Sequence, residues 1–186
     1  MANTVLSTLR DTFSSHKITT LDELFVEQLQ DLHSAELQLV DALPQMADSA
    51  RAPDLKAGFR KHLAQTKEHA SRLEKILKAL KQDAVGKKCQ AMAGLIKEGN
   101  EVISEDAIPA VKDAALIAAA QRVEHYEIAG YGTVRTFATL LGLPKAAAVL
   151  GKTLKEEGDT DKKLTAASKK LNIKVPKAGA KAKAKS

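Results

Sequence analysis

The chain has 186 residues, of which 44% are hydrophobic but only 3% aromatic, and its formal net charge is +6 at pH 7. That length allows one domain with a sizeable core, and an Ala- and Leu-rich composition poor in aromatic residues favours helices over strands. No apolar run approaches the roughly 20 residues that span a bilayer, the first twenty residues lack the basic start and apolar core of a signal peptide, and the single Cys89 excludes an intramolecular disulfide.

A cytoplasmic protein is therefore expected. Its excess charge is local: Lys174, Lys177, Lys181, Lys183 and Lys185 fall in residues 172–186 with no acid among them, and removing these five leaves 24 basic against 23 acidic residues. The low-complexity stretch KVPKAGAKAKAKS has no large apolar residue to bury, so a disordered tail is expected over 172–186.

Residues 1–19 form an N-terminal segment in which Val5, Leu6, Leu9 and Phe13 are spaced for a short helix over 4–15. A first long helix opens at Thr20, where Thr20 and Glu23 have capping-box spacing, and runs to about Arg51 with a bend expected at Pro44. Pro53 suits the first turn of a second helix ending near Leu80. The connection from Lys81 to Ile108 carries a short amphipathic helix around Met92, Leu95, Ile96 and Val102. Pro109 and Pro144 open two further helices ending near Gly142 and Leu171. The brief links at Ala52 and Leu143 make two antiparallel hairpins. The expected fold is an all-α, ferritin-like four-helix bundle over residues 20–171, with a long crossover between its hairpins.

An internal repeat supports this architecture. Moving 91 positions along the chain takes Glu36 to Glu127, Pro53 to Pro144, Leu63 to Leu154 and Leu73 to Leu164. The apolar seams advance by alternating fours and threes, as in Phe25, Leu29, Leu32, Glu36, Leu39, Leu43 on the first helix and Leu116, Ala120, Val123, Glu127, Gly130, Val134 on the third long one. Such a period is the inward stripe of a helix packed at a shallow angle in a bundle.

Each seam is apolar at its ends and polar in its middle. Glu36 and His69 are equidistant from the first turn, and Glu127 and Thr160 from the second, with Glu157 one helical turn from Thr160. Four polar groups thus share one level, and no seam position is Lys or Arg. Unpaired buried carboxylates cost several kcal/mol each, so either a metal-free hydrogen-bonded network or bound cations must offset them. Glu oxygens with a His nitrogen suit iron or manganese. Di-metal bundles take one Glu from each of two helices and Glu-x-x-His from each of the others. Here Thr66 stands where the second helix would carry Glu, and Thr160 where the fourth would carry His. Glu124 and Asp161 flank the seam and could compensate; His33 and His62 are either outer ligands or core histidines. Glu68, Glu156 and Asp159 read as surface charge, and Tyr126 and Tyr131 as packing residues able to donate near the site.

The segments LHSAELQL (32–39), DAALIAAAQRVEHYEIAGYGT (113–133) and KTLKEEGDTDKKLT (152–165), with HLAQTKEH (62–69) and GLIKEGNEVI (94–103), resemble the YciE/YciF family of bacterial ferritin-like proteins. The resemblance implies a ferritin-like fold, a homodimer, a two-metal centre and an association with stress responses. Carried over by position, it implies metal ligation by Glu36, His69, Glu124, Glu127, Glu157 and Asp161. Glu124-x-x-Glu127 is also similar to the paired glutamates of rubrerythrin-type sites, and His33 stands where a tyrosine is expected.

The expected function is binding of two divalent ions, iron or else manganese, with an oxidase, peroxide-reducing or iron-handling role. No glycine-rich phosphate loop or paired cysteine points to an organic cofactor or a thiol peroxidase. The opposing expectation is a non-catalytic dimeric scaffold whose lysine tail binds nucleic acid or another acidic partner; iron storage is a third.

Overall fold

A computed structural model of the chain describes residues 18–171. The helix expected over 4–15 and the disorder expected of the tail over 172–186 lie outside these residues. Five helices account for the fold: α1 (Leu21–Ser49), α2 (Pro53–Ala79), α3 (Gln90–Ser104), α4 (Pro109–Leu140) and α5 (Pro144–Ser168), with no strand among the described residues. None is long and apolar enough to cross a membrane.

Local signals set the helix ends. Thr20 accepts from Glu23 N at 3.2 Å while Thr20 N donates to Glu23 Oε2 at 3.0 Å, closing the capping box of α1. α1 continues through Pro44 and stops at Ser49 rather than near Arg51. The reason is Asp113, a buried carboxylate on α4 that accepts from Arg51 N at 2.7 Å and Ala52 N at 2.8 Å, drawing these amides out of the helix. Pro53, Pro109 and Pro144 each occupy a first turn. α4 ends in a Schellman arrangement: Leu143 N donates to Ala138 O, Gly142 N donates to Thr139 O, and Gly142 takes φ +67°, which favours glycine.

The hairpins α1–α2 and α4–α5 pack along their lengths, α1 also meets α4, and α3 crosses against both of these. At Gly130 the Leu32 side chain of α1 packs so close to α4 that a Cβ would fall 2.7 Å from Leu32 Cδ2. Buried Lys112 ties the crossover down by donating to the carbonyls of Val102, Ile103 and Glu105 at the end of α3. Contact between α2 and α5 is sparse.

Two separate apolar clusters fill the bundle. One joins Leu39, Leu43, Met46, Leu55 and Phe59 to Leu116, Ile117 and Leu164. The other, at the opposite end, joins Phe25, Leu29, Leu73 and Leu77 to Val134 and Leu150. The polar middles of the seams lie between them.

Candidate metal centre

The seam spacing brings one polar layer inward from four helices. Buried there are Glu36 on α1, His62, Thr66 and His69 on α2, Glu124 and Glu127 on α4, and Thr153, Glu157 and Thr160 on α5. Donor atoms of His62, Glu124, Glu127 and Glu157 lie within 4.8 Å of one another, and so do those of Glu36, His69 and Glu157. Glu157 belongs to both groups, so the two positions adjoin.

These side chains do not satisfy one another. His69 Nδ1 is 2.7 Å from Glu157 Oε1 and 3.5 Å from Glu36 Oε1, and His62 Nε2 is 3.2 Å from Glu124 Oε1. The atoms are close but poorly aligned, and these nitrogens have no hydrogen-bond partner. Nine buried side-chain atoms among the described residues lack a partner, and all nine belong to Glu36, His62, His69, Glu124, Glu127 and Glu157. Buried polar groups are ordinarily paired; carboxylate and imidazole lone pairs converging with too few donors among them are what a cation would complete. Two divalent ions would balance four carboxylates, and two imidazole nitrogens among glutamate oxygens suit first-row metals. The residues therefore fit such a pair.

Without a cation, protons supply the missing charge. Burial carries the Glu36 carboxyl up to about 7 despite the pull of His69. Burial, then the neighbouring carboxylates, hold Glu124 and Glu127 well above the usual carboxylate range. Burial opposes protonation of His69, but Glu157 and Glu36 outweigh it and raise that imidazole to about 10. Burial dominates at His62 and pushes it down, leaving a neutral ring.

A surrounding layer fixes the cluster. His69 Nε2 lies 3.0 Å from Glu156 Oε2, and Arg72 donates to the same Glu156 oxygen at 2.5 Å and to Thr153 Oγ1 at 3.1 Å. Burial opposes ionisation of Glu156, but Arg72 and His69 keep it ionised. Tyr131 Oη donates to Glu36 Oε1 at 2.5 Å, and burial with the Glu36 charge raises its phenol well above the ordinary value, keeping it a donor.

Several positions differ from those expected. Glu36, His69, Glu124, Glu127 and Glu157 come together, but Asp161 does not join them: its Oδ1 accepts from Gln121 Nε2 at 2.9 Å and lies 3.4 Å from His125 Nε2. Four residues beyond Glu157, it has rotated past the inward face. His62, two turns from His69, enters the cluster in its stead and supplies the nitrogen that α5 lacks. Thr66 and Thr160 turn their hydroxyls back to His62 O and Glu156 O of their own helices. Glu156 is a partner of His69, not surface charge. His33 sits apart, against Ala84 O and Glu74. Tyr126 donates to Asp31 at 2.5 Å and meets Cys89 Sγ at 2.9 Å.

A family model described as "Domain of unknown function (DUF892)" matches residues 20–174. Protein YciF of Escherichia coli (strain K12) is 46% identical over 147 residues, covering 78% of this chain and 89% of that protein. The chain belongs to the YciE/YciF family. The crystal structure of the E. coli stress protein YciF superposes with a TM-score of 0.79 at 44% identity, covering 81% of this chain and 96% of the other. YcfI from Rhodopseudomonas palustris gives 0.78 at 39% identity, covering 88% of this chain and all of that one. A two-domain protein of Anabaena variabilis with DJ-1/ThiJ/PfpI-like and ferritin-like domains gives 0.54 at 17% identity, covering 97% of this chain and 47% of that one, a likeness of fold alone. The YciF-family chain thus has the ferritin-like helical fold, with a buried His/Glu cluster able to hold metal.

Proposed function

We propose that this protein binds two divalent ions, iron by preference, between its four helices and consumes peroxide or oxygen there in a bacterial stress response. The supporting observation is the set of nine unpartnered buried atoms from six side chains, gathered in two groups that share Glu157. Bound in its reduced state, an iron pair supplies the electrons that such an oxidant needs. The chain's own residues do the rest. Glu157 serves both positions, His69 and His62 each give one position a nitrogen, and the four glutamates set the charge. Glu156 and Arg72 hold the His69 ring in one orientation. Tyr131 keeps a proton against Glu36, and the apolar cluster around Phe25, Leu29 and Leu73 packs against that side of the site.

The test begins with metal analysis of protein purified without chelators. Iron(II) oxidation is then followed on anaerobic addition of hydrogen peroxide, with Glu127→Ala as control. Oxidation faster in the wild type supports the proposal; equal rates favour a dimeric scaffold without turnover.

A further inference from the structure

A second feature of the bundle is a cavity of about 560 Å³ along the seam between α2 and α5, where these helices touch least. This volume falls in the range of small-molecule sites, roughly 300–1,000 Å³. Its walls are apolar, among them Leu43, Leu55, Phe59, Ile117, Val123 and Leu164. Along α2 it extends from Asp54 to Gln65, about 16 Å at the helical rise of 1.5 Å per residue. Lys61 and Lys163, at the level of His62 and Thr160, are exposed at its rim, as are Asp54 and Lys170 nearer the α1–α2 turn, and water screens all four.

The cavity runs beside one apolar cluster and ends on the polar layer, where His62, Glu124 and Thr160 line it. His62 is 4% exposed and Glu124 2%, and both ring nitrogens of His62 and Oε2 of Glu124 are without a hydrogen-bond partner. These two residues belong to the cation position completed by Glu127 and Glu157. Glu36 and His69 of the other position are not among the cavity's lining residues. An incoming molecule therefore meets one position and not the other. A head that both donates and accepts, such as a hydroxyl or hydroperoxyl group, serves an imidazole nitrogen and a carboxyl oxygen together, whereas a carboxylate head only accepts. The walls behind it reward a hydrocarbon body. Hydrogen peroxide has the head without the body.

We propose that the cavity admits an organic hydroperoxide, its hydroperoxyl head against His62 and Glu124 and its hydrocarbon body along Phe59, Ile117 and Leu164. This rests on the reading of the cluster as a peroxide-consuming centre and names the substrate class. Cleavage of the O–O bond takes two electrons, one from each of two iron(II) ions, and two protons from solvent, and it yields the alcohol and water. The alcohol keeps the head and body of the substrate, so the cavity binds it without metal.

The first probe is accordingly 2-phenyl-2-propanol, titrated calorimetrically into metal-free full-length protein beside isopropylbenzene, which lacks the hydroxyl. Saturable one-to-one binding of the alcohol is expected, with isopropylbenzene about two- to tenfold weaker. The ring signals of His62 in the proton NMR spectrum should shift on titration, and those of His33, which sits apart, should not. In the iron(II)-loaded protein under anaerobic conditions, cumene hydroperoxide should oxidise iron at least about tenfold faster than hydrogen peroxide at equal concentration. Gly58 lines the cavity one helical turn before His62, with open space where a Cβ would stand. Gly58→Phe should keep the fold, checked by circular dichroism, abolish alcohol binding and remove the preference for cumene hydroperoxide. No saturable binding of the alcohol, or binding that leaves the His62 signals in place, overturns the proposal. Hydrogen peroxide oxidising iron as fast as cumene hydroperoxide overturns it too, while leaving the peroxide-consuming centre standing. Iron oxidised by neither peroxide overturns both. A dimer that Gly58→Phe splits into monomers, with no alcohol bound by the wild type, assigns this face to a second copy and also overturns the proposal.

Discussion

Glu156 holds the Nε2 of His69 at 3.0 Å, while the other nitrogen of that ring faces Glu36 and Glu157. The pairing fixes which nitrogen is presented inward and adds negative charge behind the ring. Partners of this kind typically contribute 10- to 100-fold to metal affinity. Glu156→Ala should therefore weaken metal binding by about that factor, with Glu156→Gln intermediate. Competition against a chromophoric chelator measures it; affinity equal to wild type would refute the role.

Removing a carboxylate from the cluster should separate metal affinity from fold stability. Glu127→Leu is expected to lose metal, whereas Glu68→Ala, exposed on α2, should retain it. In chelator-treated samples Glu127→Leu should nevertheless melt higher than wild type. Replacing a buried carboxyl that has no hydrogen-bond partner by an apolar side chain removes a cost of about 1–3 kcal/mol, or about 2–4 °C in melting temperature per kcal/mol for a domain of this size. A lower melting temperature for the variant would show that the cluster is satisfied without metal.

The protonation of the cluster makes metal-free stability depend on pH. Burial raises the Glu36 carboxyl from its ordinary 4.5 to about 7, so the folded state holds more protons between these limits and stability falls as pH rises through them. Glu124 and Glu127 act with the same sign. His69, raised from 6.5 to about 10, contributes stability that is complete below 6.5 and lost as pH rises toward 10. His62, lowered by burial, opposes this trend below 6.5. Because metal must displace these protons, metal-induced stabilisation should grow with pH. Melting temperatures from pH 5 to 9, with and without iron(II) under anaerobic conditions, test this; a metal-induced shift independent of pH would contradict it.

Asp113 is expected to carry much of the stability of the first turn. Its carboxylate accepts from Arg51 N and Ala52 N, and a charged hydrogen bond contributes about 1.5–3 kcal/mol. Asp113→Ala should lower the unfolding free energy by about 3–5 kcal/mol, partly through the unpaired amides it leaves, and Asp113→Asn by less. Urea denaturation provides the measurement, and a loss under about 1 kcal/mol would mean that water replaces the carboxylate.

The fold was legible because it rests on spacing. Pro53, Pro109 and Pro144, the Thr20–Glu23 box and the repeated seams each specify a local event, and together they leave few topologies open. The level of Glu36, His69, Glu127 and Glu157 was legible for the same reason. What spacing does not encode is rotation about each helix axis. Asp161 and His62 are both on or near a seam, yet a fraction of a turn sends one toward Gln121 and the other toward Glu124. Glu156 reads as surface charge in the sequence because its backbone is off the seam, while its long side chain reaches back to Arg72 and His69. Asp113 follows no periodic rule, and only the tertiary meeting of α4 with the α1–α2 turn shows its purpose.

The two apolar clusters sit on opposite sides of the polar layer, and neither depends on an ion to hold its helices together. In small zinc domains the metal is the keystone, and the chain collapses into shape around it. Here the walls stand by themselves, so an ion enters a finished vessel. Empty and filled chains should then share one outline and persist side by side. The proportion filled would follow how much metal the surroundings offer at that moment, and the protein could wait, fully assembled, for scarcity to end.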